Sequence, residues 1–298
     1  MTDTQIASGT PLVIAAHGTR DESGVAECRA LAERVANKLP DVPVELGFVE
    51  LAEPKIPEAV QAAVAQAPGV SEGTTEGEQP VAAVVVPLMF NTGGHVREDI
   101  PEAIDEGRGD ARVAYSAPLL PDVRMRRALD RRLAETLAAG EGREQWRARD
   151  TAVVLVGRGA LVADANASHY TLTRMFWEEN DLARVEPAFI QVTRPSVPEA
   201  LTALHAQGAQ QIVVQGNFLF PGLLHVWMTE QVQAWQASHP GVEIRVAPVI
   251  GDCDEVAEVV VDRYREPLDE VGLGEGAPVY MSGLRLQGRT VLVVGAGH

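Results

Sequence analysis

The feature of this sequence that most constrains its fold is an internal repeat. Residues 48–59 read FVELAEPKIPEA and residues 189–200 read FIQVTRPSVPEA. This register aligns Glu50 with Gln191 and, outside the two segments, two more pairs of positions: His17 with Arg158, and His95 with His225. The last pair aligns after an insertion of 11 residues in the first half, about the length of the acidic segment at residues 68–80, which is predicted to be a surface loop. Repetition on this scale predicts two related lobes.

Within each half, short apolar runs alternate with amphipathic segments. In the first half the pattern predicts strands at residues 12–16, 44–49, 82–87 and 112–117, and helices at 22–39, 56–67, 96–106 and 122–138. In the second half it predicts strands at 151–156, 187–192, 212–215 and 244–247, and helices at 197–207, 226–238 and 255–265. This alternation predicts an α/β fold in which each lobe is a parallel sheet with helices on both faces.

Changes in composition indicate where the lobes begin and end. Residues 139–150 are charged and contain glycine, which is typical of a linker. The predicted domains are therefore residues 1–138 and 151–268, followed by a tail at 269–298. With 298 residues in all, each lobe is long enough to bury a core.

The composition also excludes several classes of function. A formal net charge of −17 argues against general binding to nucleic acids or anionic membranes. The apolar runs are too short to cross a bilayer, and the first ten residues lack the features of a signal peptide, so a cytoplasmic location is expected. Cys28 and Cys253 lie far apart, which argues against a disulfide framework or an iron–sulfur cluster bound by this chain alone.

Three side chains in the first half follow the ends of predicted strands. His17 follows the first strand, Glu50 ends the second, and His95 lies beyond the third. Because the carboxyl ends of parallel strands share one edge of a sheet, the three are expected to meet there. Two imidazoles and a carboxylate suit a divalent ion such as iron(II), cobalt(II), nickel(II) or zinc. The alternative for each residue alone is structural, as a hydrogen-bonded histidine or a helix cap.

The second half has lost most of this set. Arg158 and Gln191 replace the first histidine and the glutamate, which predicts one working site and no metal site in the second lobe. His225 remains, and the sequence leaves two interpretations open: contact with a substrate in a cleft between the lobes, or capping of its helix.

These residues resemble a known family. The run Ala16-His17-Gly18-Thr19-Arg20, the segment at residues 48–54, and the motifs VPLMF, GGHV and DIP between residues 86 and 101 resemble the sirohydrochlorin chelatases, which insert cobalt or iron into a modified tetrapyrrole. The resemblance covers most of residues 11–137 closely and 151–268 more weakly. It implies two flavodoxin-like lobes around a cleft. It also implies that His17 and His95 are the catalytic and metal-binding pair and that Glu50 assists them.

The same resemblance identifies the expected ligands. Sirohydrochlorin carries eight carboxylates, and basic side chains near predicted strand ends are candidates to bind them: Arg20, Lys55, Arg97, Arg194 and, on the other lobe, Arg158. His225 is a further candidate for substrate contact. The alternative for each arginine is a solvated surface charge. Fe2+ or Co2+ would be a substrate metal, and no permanently bound cofactor is expected.

The last residues carry a second resemblance. Residues 285–298 (RLQGRTVLVVGAGH) are similar to the opening of precorrin-2 dehydrogenase, the enzyme that makes sirohydrochlorin. They stop before the third glycine of the dinucleotide fingerprint, so they predict no NAD site by that means. The segment is interpreted as part of a longer fusion to, or a contact with, that dehydrogenase, and this association favours iron(II) and the sirohaem route.

The sequence therefore predicts a sirohydrochlorin ferrochelatase that forms sirohaem. The alternatives are a sirohydrochlorin cobaltochelatase of cobalamin biosynthesis, a carrier that binds metal or tetrapyrrole without catalysis and, more weakly, a metal-dependent hydrolase. No additional Asp/His cluster of the kind a two-metal hydrolase needs is evident in the sequence. Because the duplication supplies both walls of a cleft, the chain is predicted to be a monomer.

Overall fold

The computed structural model describes residues 9–68, 80–90, 93–120, 122–138 and 145–272. Most of the predicted acidic loop, half of the predicted linker and the tail beyond residue 272 lie outside the described residues. The elements of the first half, in chain order, are β1 (Leu12–Ala16), α1 (Glu22–Lys38), β2 (Val44–Phe48), α2 (Ile56–Ala65), β3 (Ala83–Pro87), a π-helical turn (His95–Asp99), α3 (Ile100–Arg108), β4 (Val113–Tyr115) and α4 (Val123–Ala138).

The second half repeats this order. After a 3₁₀ turn (Ala148–Asp150) come β5 (Ala152–Gly157), α5 (Ala163–Glu179), β6 (Arg184–Phe189), α6 (Val197–Ala206), β7 (Gln211–Gly216), α7 (Leu223–Ala237), β8 (Glu243–Val246) and α8 (Asp254–Gly272). Helix α1 begins where the sequence supplies a cap. The Asp21 carboxylate accepts a hydrogen bond from the Ser23 backbone N–H at 2.9 Å and caps α1.

The strands form two four-stranded parallel sheets, with orders β2-β1-β3-β4 and β6-β5-β7-β8. Helices flank both sheets, so the predicted fold class is confirmed. The central strands are buried along their whole length, as in β1, β3 and β5. Continuous apolar runs such as Leu12–Ala16 are expected for strands that are covered on both faces. All parallel strands point the same way, so the carboxyl ends of each sheet share one rim.

The last helix of each half crosses to the other half. Helix α4 follows β4 but contacts α5 and β7 of the second lobe, and α8 follows β8 but contacts α1 and β3 of the first. Buried hydrogen bonds fix both exchanges. Gln215 Nε2 donates to the Leu129 carbonyl at 2.7 Å, and the Tyr264 hydroxyl donates to the Thr10 carbonyl at 2.7 Å. The resulting central core is continuous between the lobes, whereas each lobe has its own outer core under α2 and α3 or under α6 and α7.

Three elements of the second half differ from the prediction. Helix α5 was not predicted, because its buried positions include the polar side chains of His169 and Thr173 and its apolar periodicity is therefore weak. Strand β6 begins and ends three residues before its predicted bounds, with Pro187 inside it. Proline is tolerated there because β6 is an edge strand. Helix α8 continues to Gly272, past its predicted end at 265 and into the segment predicted as a tail.

In the described part of the chain, no helix is both long enough and apolar enough to span a membrane.

Candidate functional site

His17 is held at the rim of the first sheet by a glycine turn. Gly18 has a φ of +94°, and a Cβ there would lie 1.8 Å from the Glu50 carbonyl oxygen. Only glycine lets the loop after β1 pass this close to the end of β2. The Glu50 backbone N–H donates to the His17 carbonyl at 3.1 Å, which links the two loops directly. The glycine thus brings His17 and Glu50 together.

Glu50 lies at the end of β2 in a sharp turn. The next residue, Leu51, has a φ of +64°, an uncommon conformation for a residue with a branched side chain. The Glu50 carboxylate Oε1 is 3.8 Å from His17 Nε2. This distance is too long for a hydrogen bond, but it places the two groups within reach of one ligand. Both side chains are about half exposed, at 44% for His17 and 53% for Glu50, so both can reach a ligand from solvent.

His95 is carried by the π-helical turn that precedes α3. The ring centroids of His17 and His95 are 4.6 Å apart and the rings are nearly perpendicular. The turn is anchored by Val96, the residue after His95. The Val96 side chain is buried, and its carbonyl accepts a hydrogen bond from the Tyr115 hydroxyl at 2.9 Å. π-helical insertions occur frequently at functional sites. The sequence predicted that His17, Glu50 and His95 would meet at one rim, and this structure brings them together.

A cavity of about 400 Å³ opens beside these side chains. Its lining combines acidic and apolar residues: Phe48, Val49, Glu50, Ile56, Pro57, His95, Asp99, Glu102, Ala103 and Glu106. In the described part of the chain, no group of three or more His, Cys, Asp or Glu side chains is arranged to hold a metal ion. His17, Glu50 and His95 are therefore close to one another, but they do not form a closed set of metal ligands. An open arrangement suits an ion that must be passed on, whereas structural metal sites are closed.

The rim of the second lobe has the same backbone and different side chains. Gly159 has a φ of +87°, and a Cβ there would lie 2.0 Å from the Gln191 carbonyl oxygen, as at Gly18. The side chain that follows β5, however, is the exposed Arg158. In α7, His225 is half-buried, and desolvation lowers its pKa. Its Nδ1 is buried without a hydrogen-bond partner among the described residues. The second rim therefore does not repeat the set found in the first.

The basic residues predicted to bind carboxylates differ in their environments. Arg20, Arg97 and Arg158 are exposed. Arg194 forms an ion pair with Glu199, the residue that completes the capping box at the start of α6. Lys55 donates from Nζ to the Ala52 carbonyl at 2.9 Å. Arg194 and Lys55 are thus already engaged in the turns after β6 and β2.

Sequence reasoning missed an exposed apolar surface on the second rim, which we call the apolar rim. It consists of large side chains after β5 and at the start of α7, with exposed fractions between 39% and 94%: Leu161, Val162, Leu223, Val226 and Trp227. It lies beside the first lobe, because a Cβ on Gly24 of α1 would be 2.5 Å from the Pro221 carbonyl, and one on Gly222 would be 3.8 Å from Thr19 Oγ1. The run Leu223-Leu224 before His225 was the available signal.

Sequence reasoning also gave Asp99 no role. Its carboxylate Oδ2 forms a short hydrogen bond with His95 Nδ1, four residues earlier in the π-helical turn. The signal was the spacing of the histidine and the aspartate in His95-Val96-Arg97-Glu98-Asp99, which places both on one side of a helical turn.

Comparisons with known proteins find relatives in both sequence and structure. A sequence profile of the CbiX family matches residues 11–136 and 152–267. A sirohydrochlorin cobaltochelatase of Priestia megaterium is 30% identical over 85% of this chain and 78% of its own length. A sirohydrochlorin ferrochelatase of the same organism is 26% identical over 86% of this chain and 90% of its own length. The solved structure of SirB from Bacillus subtilis with Fe3+ superposes with a TM-score of 0.71 at 23% identity, over 91% of this chain and 100% of that chain.

Proposed function

Because the chain belongs to the CbiX family of sirohydrochlorin chelatases and is a metal chelatase, we propose that it inserts iron(II) into sirohydrochlorin to give sirohaem. The observation that carries this proposal is the pair of facing imidazoles, His17 and His95, with their ring centroids 4.6 Å apart and Glu50 beside them. Of these three side chains, only one histidine is repeated in the second lobe. The rim of the first lobe is therefore the proposed site of the chemistry.

Metal insertion has two requirements that these side chains meet. A desolvated divalent ion must be delivered to four ring nitrogens, and two pyrrole N–H protons must leave. Neutral imidazole can bind a metal or accept a proton, and its unperturbed pKa near 6.5 suits both tasks at neutral pH. His17 and His95 thus act as metal donor and base, and Glu50 balances the charge of the ion or relays protons.

The apolar rim and the exposed arginines support a tetrapyrrole as the substrate. The macrocycle is flat and apolar, and sirohydrochlorin carries eight carboxylates at its edge. Leu161, Leu223 and Trp227 are exposed apolar side chains of the second rim, and the segment just before Leu223 lies next to the loop that carries His17, since a Cβ on Gly222 would be 3.8 Å from Thr19 Oγ1. Arg20 and Arg97 on the first lobe and Arg158 on the second are proposed to bind peripheral carboxylates, and Arg194 and His225 are further proposed substrate contacts.

The choice of iron(II) rests on the sequence of residues 285–298, which is similar to the opening of precorrin-2 dehydrogenase. Cobalt(II) is the second candidate, favoured by the 30% identity to a curated cobaltochelatase. Two imidazoles and a carboxylate bind either ion, so the donor set does not discriminate between them.

Anaerobic absorbance spectroscopy with sirohydrochlorin and either iron(II) or cobalt(II) tests the proposal. We expect rapid metal-dependent loss of the free-base spectrum, faster with iron(II), and no such loss with the His17→Ala variant. His239→Gln is a matched control, because His239 stacks on Trp235 at the far end of α7 and its removal should leave the rate unchanged. A faster reaction with cobalt(II) would contradict the assignment of iron. A rate no higher than without protein, with either ion, would contradict the proposed reaction.

A further inference from the structure

The hydrogen bond between His95 and Asp99 determines which nitrogen of His95 carries a proton. An ionised carboxylate only accepts hydrogen bonds, so the bond at Nδ1 requires an N–H there. In the neutral ring the lone pair is then on Nε2. Carboxylate partners of this kind fix the tautomer and the ring orientation of histidines that bind metals.

His17 is held in the same way by a different oxygen. Its Nδ1 lies 3.1 Å from the carbonyl of Gly18, an acceptor, so the proton is again assigned to Nδ1. Its Nε2 faces Glu50 at 3.8 Å. The two imidazoles are therefore assigned the same tautomer. In each ring the Nδ1–H donates to an oxygen, and the lone pair is on Nε2.

The equivalent histidine of the second lobe lacks this support. His225 Nδ1 is buried and has no hydrogen-bond partner among the described residues. Four residues later stands Thr229, whose hydroxyl donates to the His225 carbonyl at 2.9 Å instead of meeting the ring. The carboxylate partner is thus a feature of the lobe that carries the proposed chemistry.

We infer that Asp99 is a positioning residue that holds His95 in its Nδ1–H tautomer and aims the Nε2 lone pair at the substrate metal. The assignment of the tautomer stands on the geometry alone. The effect on catalysis rests on the proposed function, since it requires His95 to bind the ion or accept a proton. A carboxylate on Nδ1 also makes Nε2 a stronger donor, and loss of such a partner commonly reduces metal affinity or activity by about 10- to 100-fold.

The first test reads the tautomer directly and does not depend on activity. Long-range 1H–15N spectra of protein labelled with 15N-histidine, recorded near pH 8.5 where an unperturbed imidazole is neutral, report which nitrogen is protonated, and His95→Gln identifies the His95 signal. We expect an Nδ1–H pattern in the native protein and in Asp99→Asn, whose amide oxygen can accept the same bond. Asp99→Ala should shift His95 toward the other tautomer. An unchanged tautomer in Asp99→Ala would overturn the inference.

The second test separates positioning from simple attraction of cations. Asp99→Ala should lower kcat/KM for the metal by about 10- to 100-fold while the KM for the tetrapyrrole stays constant, and Asp99→Asn should recover part of the loss. Glu102→Gln is the control, because it removes a carboxylate charge from the same cavity, whereas the carboxylate hydrogen-bonded to His95 Nδ1 is that of Asp99. Equal losses in Asp99→Ala and Glu102→Gln would overturn positioning. A native protein that lacks turnover but shows the expected tautomer would contradict the proposed function and leave the assignment of His95 intact.

Discussion

The two lobes have nearly the same backbone at their rims and different chemistry on it. The glycine turn after the first strand and the left-handed residue after the second occur in both, at Gly18 and Leu51 and at Gly159 and Val192. The side chains placed by these turns are a histidine and a glutamate in the first lobe but an arginine and a glutamine in the second. The comparison teaches that the fold fixes where a side chain emerges, and that the residue at that point decides what the rim can do.

The lobes differ most where the third strand leads into its helix. In the first lobe this helix begins with a π-helical turn that buries Val96, which is 2% exposed, and carries the ring of His95 to His17. In the second lobe α7 begins at Leu223 as a regular α-helix, and the aligned Val226 is 44% exposed. The valine of the same His-Val pair is therefore buried beneath the candidate site in one lobe and belongs to the exposed apolar rim in the other.

The largest expected effect compares the two aligned histidines. His95→Ala should lower kcat for metal insertion by at least about 100-fold, because the loss of a positioned proton acceptor or donor typically costs this much. His225→Ala should raise only the KM for the tetrapyrrole, since no carboxylate among the described residues holds its ring as Asp99 holds that of His95. Steady-state insertion kinetics under anaerobic conditions measure both. Equal losses of kcat would show that the second lobe shares the chemistry.

The next effect concerns the glycine turns that the lobes share. Gly18→Ala and Gly159→Ala should each lower the free energy of unfolding by at least about 2 kcal/mol, because the added Cβ meets a carbonyl oxygen and the backbone has a positive φ. Gly208→Ala, with a φ of +93° and no atom within 4 Å of its Cβ, isolates the conformational part and should cost less. Urea unfolding measures all three. Under conditions in which all three variants are folded, only Gly18→Ala should also lower the kcat for metal insertion. A similar loss of kcat in Gly159→Ala would contradict the assignment of the chemistry to the first lobe.

A smaller effect is expected from the arginine that replaces the first histidine. Arg158→Ala should raise the KM for the tetrapyrrole about threefold to tenfold, as for the loss of one exposed charge pair of about 1 kcal/mol, with kcat unchanged. Arg149→Ala is the control, because Arg149 is also exposed but precedes the other end of β5. Tetrapyrrole saturation curves, recorded for both variants at a fixed metal concentration, measure the effect. A change in kcat alone would argue against a role in substrate binding.

The smallest effect is the pH dependence of stability that His169 contributes at a position where the first lobe has Cys28. Cys28 and His169 each lie 11 residues after their aligned rim positions, His17 and Arg158. Burial lowers the pKa of His169, so the unfolded chain binds more protons than the folded protein below the unperturbed value near 6.5. This contribution to stability is therefore present above that pH and is lost as the pH falls. In the His169→Cys variant this pH-dependent contribution to stability should be absent.

Unfolding free energies at pH 5, 6, 7 and 8 test this point. The native protein and His169→Cys should differ by a constant amount between pH 7 and 8, and the difference should change in favour of the variant toward pH 5. Parallel curves over the whole range would show that His169 is not the group responsible.

Much of the fold followed from local patterns. The strands Leu12–Ala16 and Ala152–Gly157 are continuous apolar runs, and such runs predict buried parallel strands without any knowledge of their neighbours. Helix α5 did not follow, because the residues on its buried face, His169 and Thr173, are polar and satisfy their hydrogen bonds with the Leu155 and His169 carbonyls. The sequence alone does not distinguish a polar side chain that is buried with a hydrogen-bond partner from one that is exposed to solvent.

The sequence by itself determined the duplication, the parallel sheets and the meeting of His17, Glu50 and His95 at one rim, because the register of the repeat and the direction of parallel strands are local properties. The tertiary structure alone decided the exchange of α4 and α8 between the lobes, the π-helical form of the turn that Tyr115 anchors at Val96, and the position of the apolar rim beside the loop of His17. These features depend on contacts between residues far apart in the chain, such as Gln215 with Leu129 and Gly24 with Pro221. Local patterns contain no information about which distant surfaces come into contact.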